Sequence, residues 1–171
     1  MNSIKKDRIL GIDPGLNITG YGVICTEDHS VVEAGVIRIK SRQPTENRLG
    51  ELYEGMLEVI ESLQPVCMAI EDLYSHYERP KTAIIMGHAR GVLLLAAQQK
   101  GIPVVSYGAT KIKSVMTGNG RASKSQIQMA VCRQLALDNV PQPPDVADAL
   151  AIALCHEHHL KNKNNFAGFS K

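Results

Sequence analysis

The chain has 171 residues, with 19 Lys and Arg against 17 Asp and Glu and a net charge of +2. That length fits one domain with a full hydrophobic core, and the ordinary apolar share excludes a disordered or fibrous chain. No apolar run reaches the roughly 18 to 20 residues a membrane span needs, and Met1–Arg8 lacks the apolar stretch of a signal peptide, so a cytoplasmic protein is expected.

Ile9–Asp13 reads as a short buried strand. Gly20–Cys25 and Val31–Lys40 read as two more, separated by turn residues, and their short links fit an antiparallel meander. Arg48–Leu63 carries Leu49, Leu52, Met56, Ile60 and Leu63 at helical spacing, with Thr45 as the expected N-cap and Pro65 as the stop. Val66–Glu71 is the fourth strand. Thr82–Gln99 is a helix apolar on most faces, expected to pack deep, with Gly87 and Gly91 as flat spots for another backbone.

Gly101-Ile102-Pro103 breaks that helix, and Val104–Tyr107 is the fifth strand. A short helix spans Thr110–Met116, followed by a flexible basic loop, Thr117–Ala122. Ser123 caps a helix reaching to Leu137. Asp138–Pro144 is a linker, and Asp145–His159 forms the last helix. Residues 1–160 are read as one domain and 161–171 as a flexible polar tail. The order predicts an α/β fold, a five-stranded mixed sheet flanked by helices. Cys25, Cys67, Cys132 and Cys155 are scattered in apolar runs and are expected to be free thiols.

Four acids stand out. Asp13 and Glu71 each end an apolar strand, and Asp145 and Asp148 open an apolar helix on one face. Singly, each has an ordinary reading as a turn residue, a strand end or a helix N-terminal charge. Together they suggest one shared cation, because carboxylates are costly to bury unless paired or metal-bound. Hard oxygen donors favour Mg²⁺ or Mn²⁺. The histidines are not expected to form a metal cluster. His88 is expected to be a core or interface residue, and His156, His158 and His159 to sit near the end of the last helix.

Charge is unevenly placed as well. From Arg79 through Leu137 there is no Asp or Glu, while Arg79, Lys81, Arg90, Lys100, Lys111, Lys113, Arg121, Lys124 and Arg133 all fall there. A long single-sign span in a nearly neutral chain points to a polyanion such as nucleic acid.

Several stretches resemble the RuvC family of Holliday junction resolvases, within the RNase H-like superfamily. They are Ile9–Gly15, Thr19–Ile24, Ala69–Glu71, Gly87–Val92, Lys124–Gln126 and Asp145–Ala153. The resemblance implies a homodimeric endonuclease that nicks opposing strands of a four-way DNA junction. It implies a catalytic, metal-holding set of Asp13, Glu71, Asp145 and Asp148, and RuvA and RuvB as branch-migration partners. Two Mg²⁺ ions roughly 3.5 to 4 Å apart would activate water and steady the leaving oxygen.

Lys124 matches a family lysine near the scissile phosphate, suited to offset charge in the transition state, and Lys113 matches another implicated basic position. Tyr74 falls where the family stacks an aromatic ring on a base. Arg79, Lys81, Lys111 and Arg121 are expected backbone contacts. Rival readings are a sugar-kinase-type ATPase, a ribosomal RNA-processing relative and a junction-binding module without catalysis. The first needs a second lobe and a far longer chain.

Overall fold

The computed structural model describes residues 7–73 and 80–167. Strands β1 (Arg8–Asp13), β2 (Ile18–Cys25) and β3 (Ser30–Arg38) form the expected antiparallel meander. Strand β4 (Cys67–Glu71) runs parallel to β1, and β5 (Val104–Tyr107) parallel to β4. The five-stranded sheet is ordered β3-β2-β1-β4-β5. The helices among the described residues are α1 (Thr45–Leu63), α2 (Pro80–Gln99), α3 (Ala109–Thr117), α4 (Lys124–Gln134) and α5 (Pro144–Ala167).

β1 is central and covered on both faces, which explains its near-continuous apolar run. Side-chain alternation then splits the core in two. Leu10, Ile12, Met68 and Ile70 pack with α1 and α2 on one face. Ile9, Cys67 and Ala69 pack with α3, α4 and α5 on the other. The same alternation sends Asp13 and Glu71 to the α5 face.

α5 lies almost against the sheet. Every residue from Ala149 to Glu157 is buried. A Cβ on Gly11 would stand 2.1 Å from the Ala149 carbonyl oxygen, and one on Gly20 would stand 2.2 Å from that of Asp145. Both positions therefore need glycine, because the helix backbone occupies the space of a side chain.

Some sequence expectations are corrected. α1 begins at Thr45 itself, with Pro44 at the cap position and no side-chain cap. α4 ends at Gln134 rather than Leu137, because Ala136 turns left-handed (φ 50°) and the Leu137 N–H closes on the Cys132 carbonyl. α5 runs on to Ala167, past the expected end at His159. The basic loop before Ser123 is a pinned turn, with the Arg121 N–H donating to Asn119 Oδ1 at 2.9 Å and the Ala122 N–H to the Asn119 carbonyl at 3.0 Å.

The largest correction concerns α2. It buries Ala89, Leu93, Ala96 and Ala97 but leaves Ile84 60%, Ile85 39% and Leu95 49% exposed. His88 is exposed rather than part of the core. No described backbone approaches the flat spots. A Cβ on Gly91 would meet nothing within 4 Å, and one on Gly87 only the Leu73 side chain. The four cysteines are free thiols, as expected.

Candidate active site

The parallel β1–β4 register ends at Ile12 opposite Ile70. One residue further, it sets Asp13 level with Glu71. Asp13 is paired across the β1–β2 ladder with Gly20, the glycine on which the Asp145 backbone rests. The third acid is thereby delivered beside the first. Asp148 follows one turn later on the same helix face. Asp13, Glu71 and Asp148 line a cleft of about 280 Å³. Asp145 is outside that lining but close enough to Asp13 to act on its charge.

Lys113 and Lys124 line the same cleft, with apolar walls from Ile112, Ile127, Ala151 and Ile152. Lys124 is placed by a complete capping box. Gln126 Oε1 accepts from the Ser123 N–H at 2.8 Å, and Ser123 Oγ accepts from the Gln126 N–H at 3.3 Å. α4 must therefore start at Lys124, where the helix dipole disfavours a cation. Its ammonium instead donates to Asp148 Oδ2 at 2.7 Å.

The electrostatics show how crowded the acids are. Burial, and then the charges of Glu71, Asp148 and Asp145, push Asp13 up to about 7, partly countered by Lys124. Glu71 is raised by burial and by Asp148 and Asp72, with Lys113 and Lys124 opposing. Lys124 is raised, first by its hydrogen bond to Asp148. Each ionised acid makes the next harder to ionise.

Among the described residues no three acids, histidines or cysteines already converge on one point as a closed ligand cage. The donor chemistry still fits a hard divalent cation. The groups are all carboxylate oxygens, and Asp13 is destabilised as an anion by burial and by its acidic neighbours, which a cation would relieve.

The DNA-contact expectations divide. Lys113 and Lys124 reach the cleft, while Lys81, Lys111 and Arg121 are exposed outside its lining. Tyr74 and Arg79 lie outside the described residues. His156 is buried and shares a 2.7 Å hydrogen bond with the Tyr107 hydroxyl, and His158 bonds Gln134 Oε1 at 2.9 Å.

Sequence reasoning missed two supports. Thr19, fully buried, accepts from the Gly15 N–H at 3.1 Å and so closes the turn after Asp13. Arg90 reaches from α2 to the ends of β4 and β5. Its signal was one arginine inside an otherwise apolar helix.

The profile of the family described as crossover junction endodeoxyribonuclease RuvC matches residues 9–156. The chain belongs to the RuvC family. A RuvC from Rhodopirellula baltica is 56% identical over 156 residues, covering 90% of this chain and 87% of that protein. One from Desulforamulus reducens is 45% identical, covering 86% and 91%. The solved structure of Thermus thermophilus RuvC superposes with a TM-score of 0.84 at 32% identity, over 91% of this chain and 96% of that one. The T. thermophilus RuvC structure in complex with Holliday junction substrate gives 0.83 at 30% identity, over 91% and 95%. The RuvC fold also extends to the yeast mitochondrial resolvase Ydc2, at 17% identity and a TM-score of 0.64.

Proposed function

We propose that this chain is a Holliday junction resolvase, a metal-dependent endonuclease that nicks opposing strands of a four-way DNA junction in recombination and repair. The observation that carries the reading is the placement of Asp13, Glu71 and Asp148 around one cleft, with Asp145 beside Asp13 and two lysines on the walls. A phosphodiester carries negative charge. Four carboxylates against two lysines repel it, so the acids serve the reaction through cations. Asp13, Glu71, Asp145 and Asp148 would hold them, and two Mg²⁺ ions (or Mn²⁺) would supply an activated water and charge relief at the leaving 3′ oxygen.

The chain's own groups do the rest. The glycine floor under α5 fixes the depth of Asp145 and Asp148 against Asp13. Lys124, now paired with Asp148, can turn its ammonium to a phosphate oxygen across the cleft, where it offsets charge that grows in the transition state. Lys113 adds a second cation on the same wall. Lys81, Lys111 and Arg121, with Tyr74 and Arg79, extend the DNA contacts. Neutralised phosphates release counterions, so junction binding falls steeply as salt rises.

A homodimer with one site per subunit matches paired nicking. Its support here is the uncovered stripe of α2, where Ile84, His88, Gly91 and Leu95 recur at helical spacing and are exposed. An apolar helix face left bare is a surface for a partner, and Gly91 would let two helices approach closely. No helix among the described residues is long and apolar enough to cross a membrane. The protein is proposed to work in the cytoplasm beside DNA, with RuvA and RuvB as branch-migration partners.

Cleavage of a labelled synthetic four-way junction, against linear duplex of the same sequence, tests the reading. Paired nicks in the junction only, lost in EDTA and in Asp13→Asn, are expected. Tight junction binding without cutting would leave a binding module. Cutting of structured RNA in place of junction DNA would move the chain to the RNA-processing reading.

A further inference from the structure

Arg90 is the one charged side chain of α2 that turns inward, at 18% side-chain exposure. Its guanidinium spans three groups at the ends of two strands. Nε donates to the Glu71 carbonyl at 3.3 Å. Nη2 donates to Asp72 Oδ1 at 3.1 Å and to Ser106 Oγ at 2.6 Å. Glu71 is the last residue of β4, and its ladder to β1 has already ended at Ile70. Beyond it, the Asp72 N–H donates to the Tyr107 carbonyl at 2.9 Å. Arg90 thus ties the β4 and β5 ends together where the β1–β4 ladder has ended and only β5 still pairs with Glu71. A planar fork with several fixed donors suits this task, and a lysine offers only one point charge.

We infer that Arg90 is a positioning residue for Glu71. It fixes the backbone that aims this carboxylate into the cleft and balances the adjacent Asp72 charge. The inference rests on the reading of Glu71 as a ligand in metal-dependent junction cleavage. It also gives α2 a second role. One face of the helix is bare, while Arg90 on another ties the helix to an acid of the site. Groups that hold a metal ligand in place typically set metal affinity or activity by about 10- to 100-fold, and that is the scale expected here.

The test compares the full-length chain with its Arg90→Gln and Arg90→Lys variants. Mn²⁺ affinity is read by calorimetric titration without DNA, and the Mn²⁺ concentration for half-maximal junction cutting is read alongside. Arg90→Gln is expected to weaken Mn²⁺ binding about 10-fold or more and to raise the cutting midpoint in step. Junction affinity in EDTA should stay at the wild-type level. Arg90→Lys should recover part of the loss.

Wild-type Mn²⁺ affinity in Arg90→Gln would overturn the inference, as would weakened junction binding at an unchanged metal midpoint. The latter would make Arg90 a DNA contact. Should Arg90→Gln fail to fold, Asp72→Ala and Ser106→Ala decide, since each removes one bond and leaves the arginine in place. Each should shift the midpoint by a few-fold, and no shift in either would overturn the inference. A wild-type chain that binds no Mn²⁺ and cuts no junction refutes the functional reading itself, and is told apart by that control.

Discussion

Helix α2 and the 146–155 stretch of α5 are both apolar on most faces, yet they meet opposite fates. α5 is covered by its own chain, with the sheet beneath it and α3 and α4 beside it. α2 is covered on one side only, and Ile84 and Leu95 face outward. An all-round apolar helix means burial, but it does not say what does the burying. In α5 the answer is the glycine floor of β1 and β2. In α2 the proposed answer is a second copy of the chain.

Four experiments would break or sharpen that contrast. The largest effect belongs to the acids that the buried helix and the strand ends present. Asp13→Asn, Glu71→Gln, Asp145→Asn and Asp148→Asn should each lower junction cutting to the level seen in EDTA while binding persists. Loss of binding in all four would make the acids structural. Next comes the floor itself. Gly11→Ala puts a methyl where the α5 backbone already lies, and such overpacking should destabilise by about 1–3 kcal/mol or more. Denaturant melts would show it, and an unchanged midpoint would mean α5 is free to lift.

The bare helix should respond in the opposite way. Leu95→Glu should leave the subunit's own stability within about 0.5 kcal/mol, as exposed positions do, yet yield a monomer by sedimentation and lose paired nicking. A dimer that survives Leu95→Glu and Ile84→Glu together would place the contact elsewhere. The smallest effect is electrostatic. Asp13 sits near 7 against an ordinary 3.8, so the folded chain without metal holds this proton more tightly than the unfolded chain does. Stability from this group is complete below 3.8 and is lost as pH rises through 7. In EDTA, wild type should lose more melting temperature from pH 6 to pH 8 than Asp13→Asn does. Equal losses would remove Asp13 from the crowded cluster.

Much of the site was legible because the two periodicities carry it. Asp13 and Glu71 end runs whose alternation sets them on one face, and Asp145 with Asp148 is a plain helical spacing. The mixed sheet followed from the meander and the α/β units, while the strand order, with β1 at the centre, is seen only in the fold. The rest depends on contacts far apart in sequence. Nothing near Ala136 signals a left-handed end to α4, since alanine is a poor residue for that conformation. Lys124 reads as a phosphate contact, and only the fold shows it bonded to Asp148. Arg90 reads as one more basic residue until β4 and β5 are brought side by side. The depth expected of α2 failed because apolarity alone does not separate a core helix from one with an exposed apolar face.

The sheet order has a kinetic consequence. The β1–β2–β3 meander is made of neighbours in sequence and can form early. The β1–β4 pairing and the docking of α5 join segments far apart along the chain, and such loops close late. Asp13 lies in the part built from local contacts, while Glu71, Asp145 and Asp148 depend on the long-range ones for their place beside it. The four acids therefore meet only when the long-range contacts of β4 and α5 are in place.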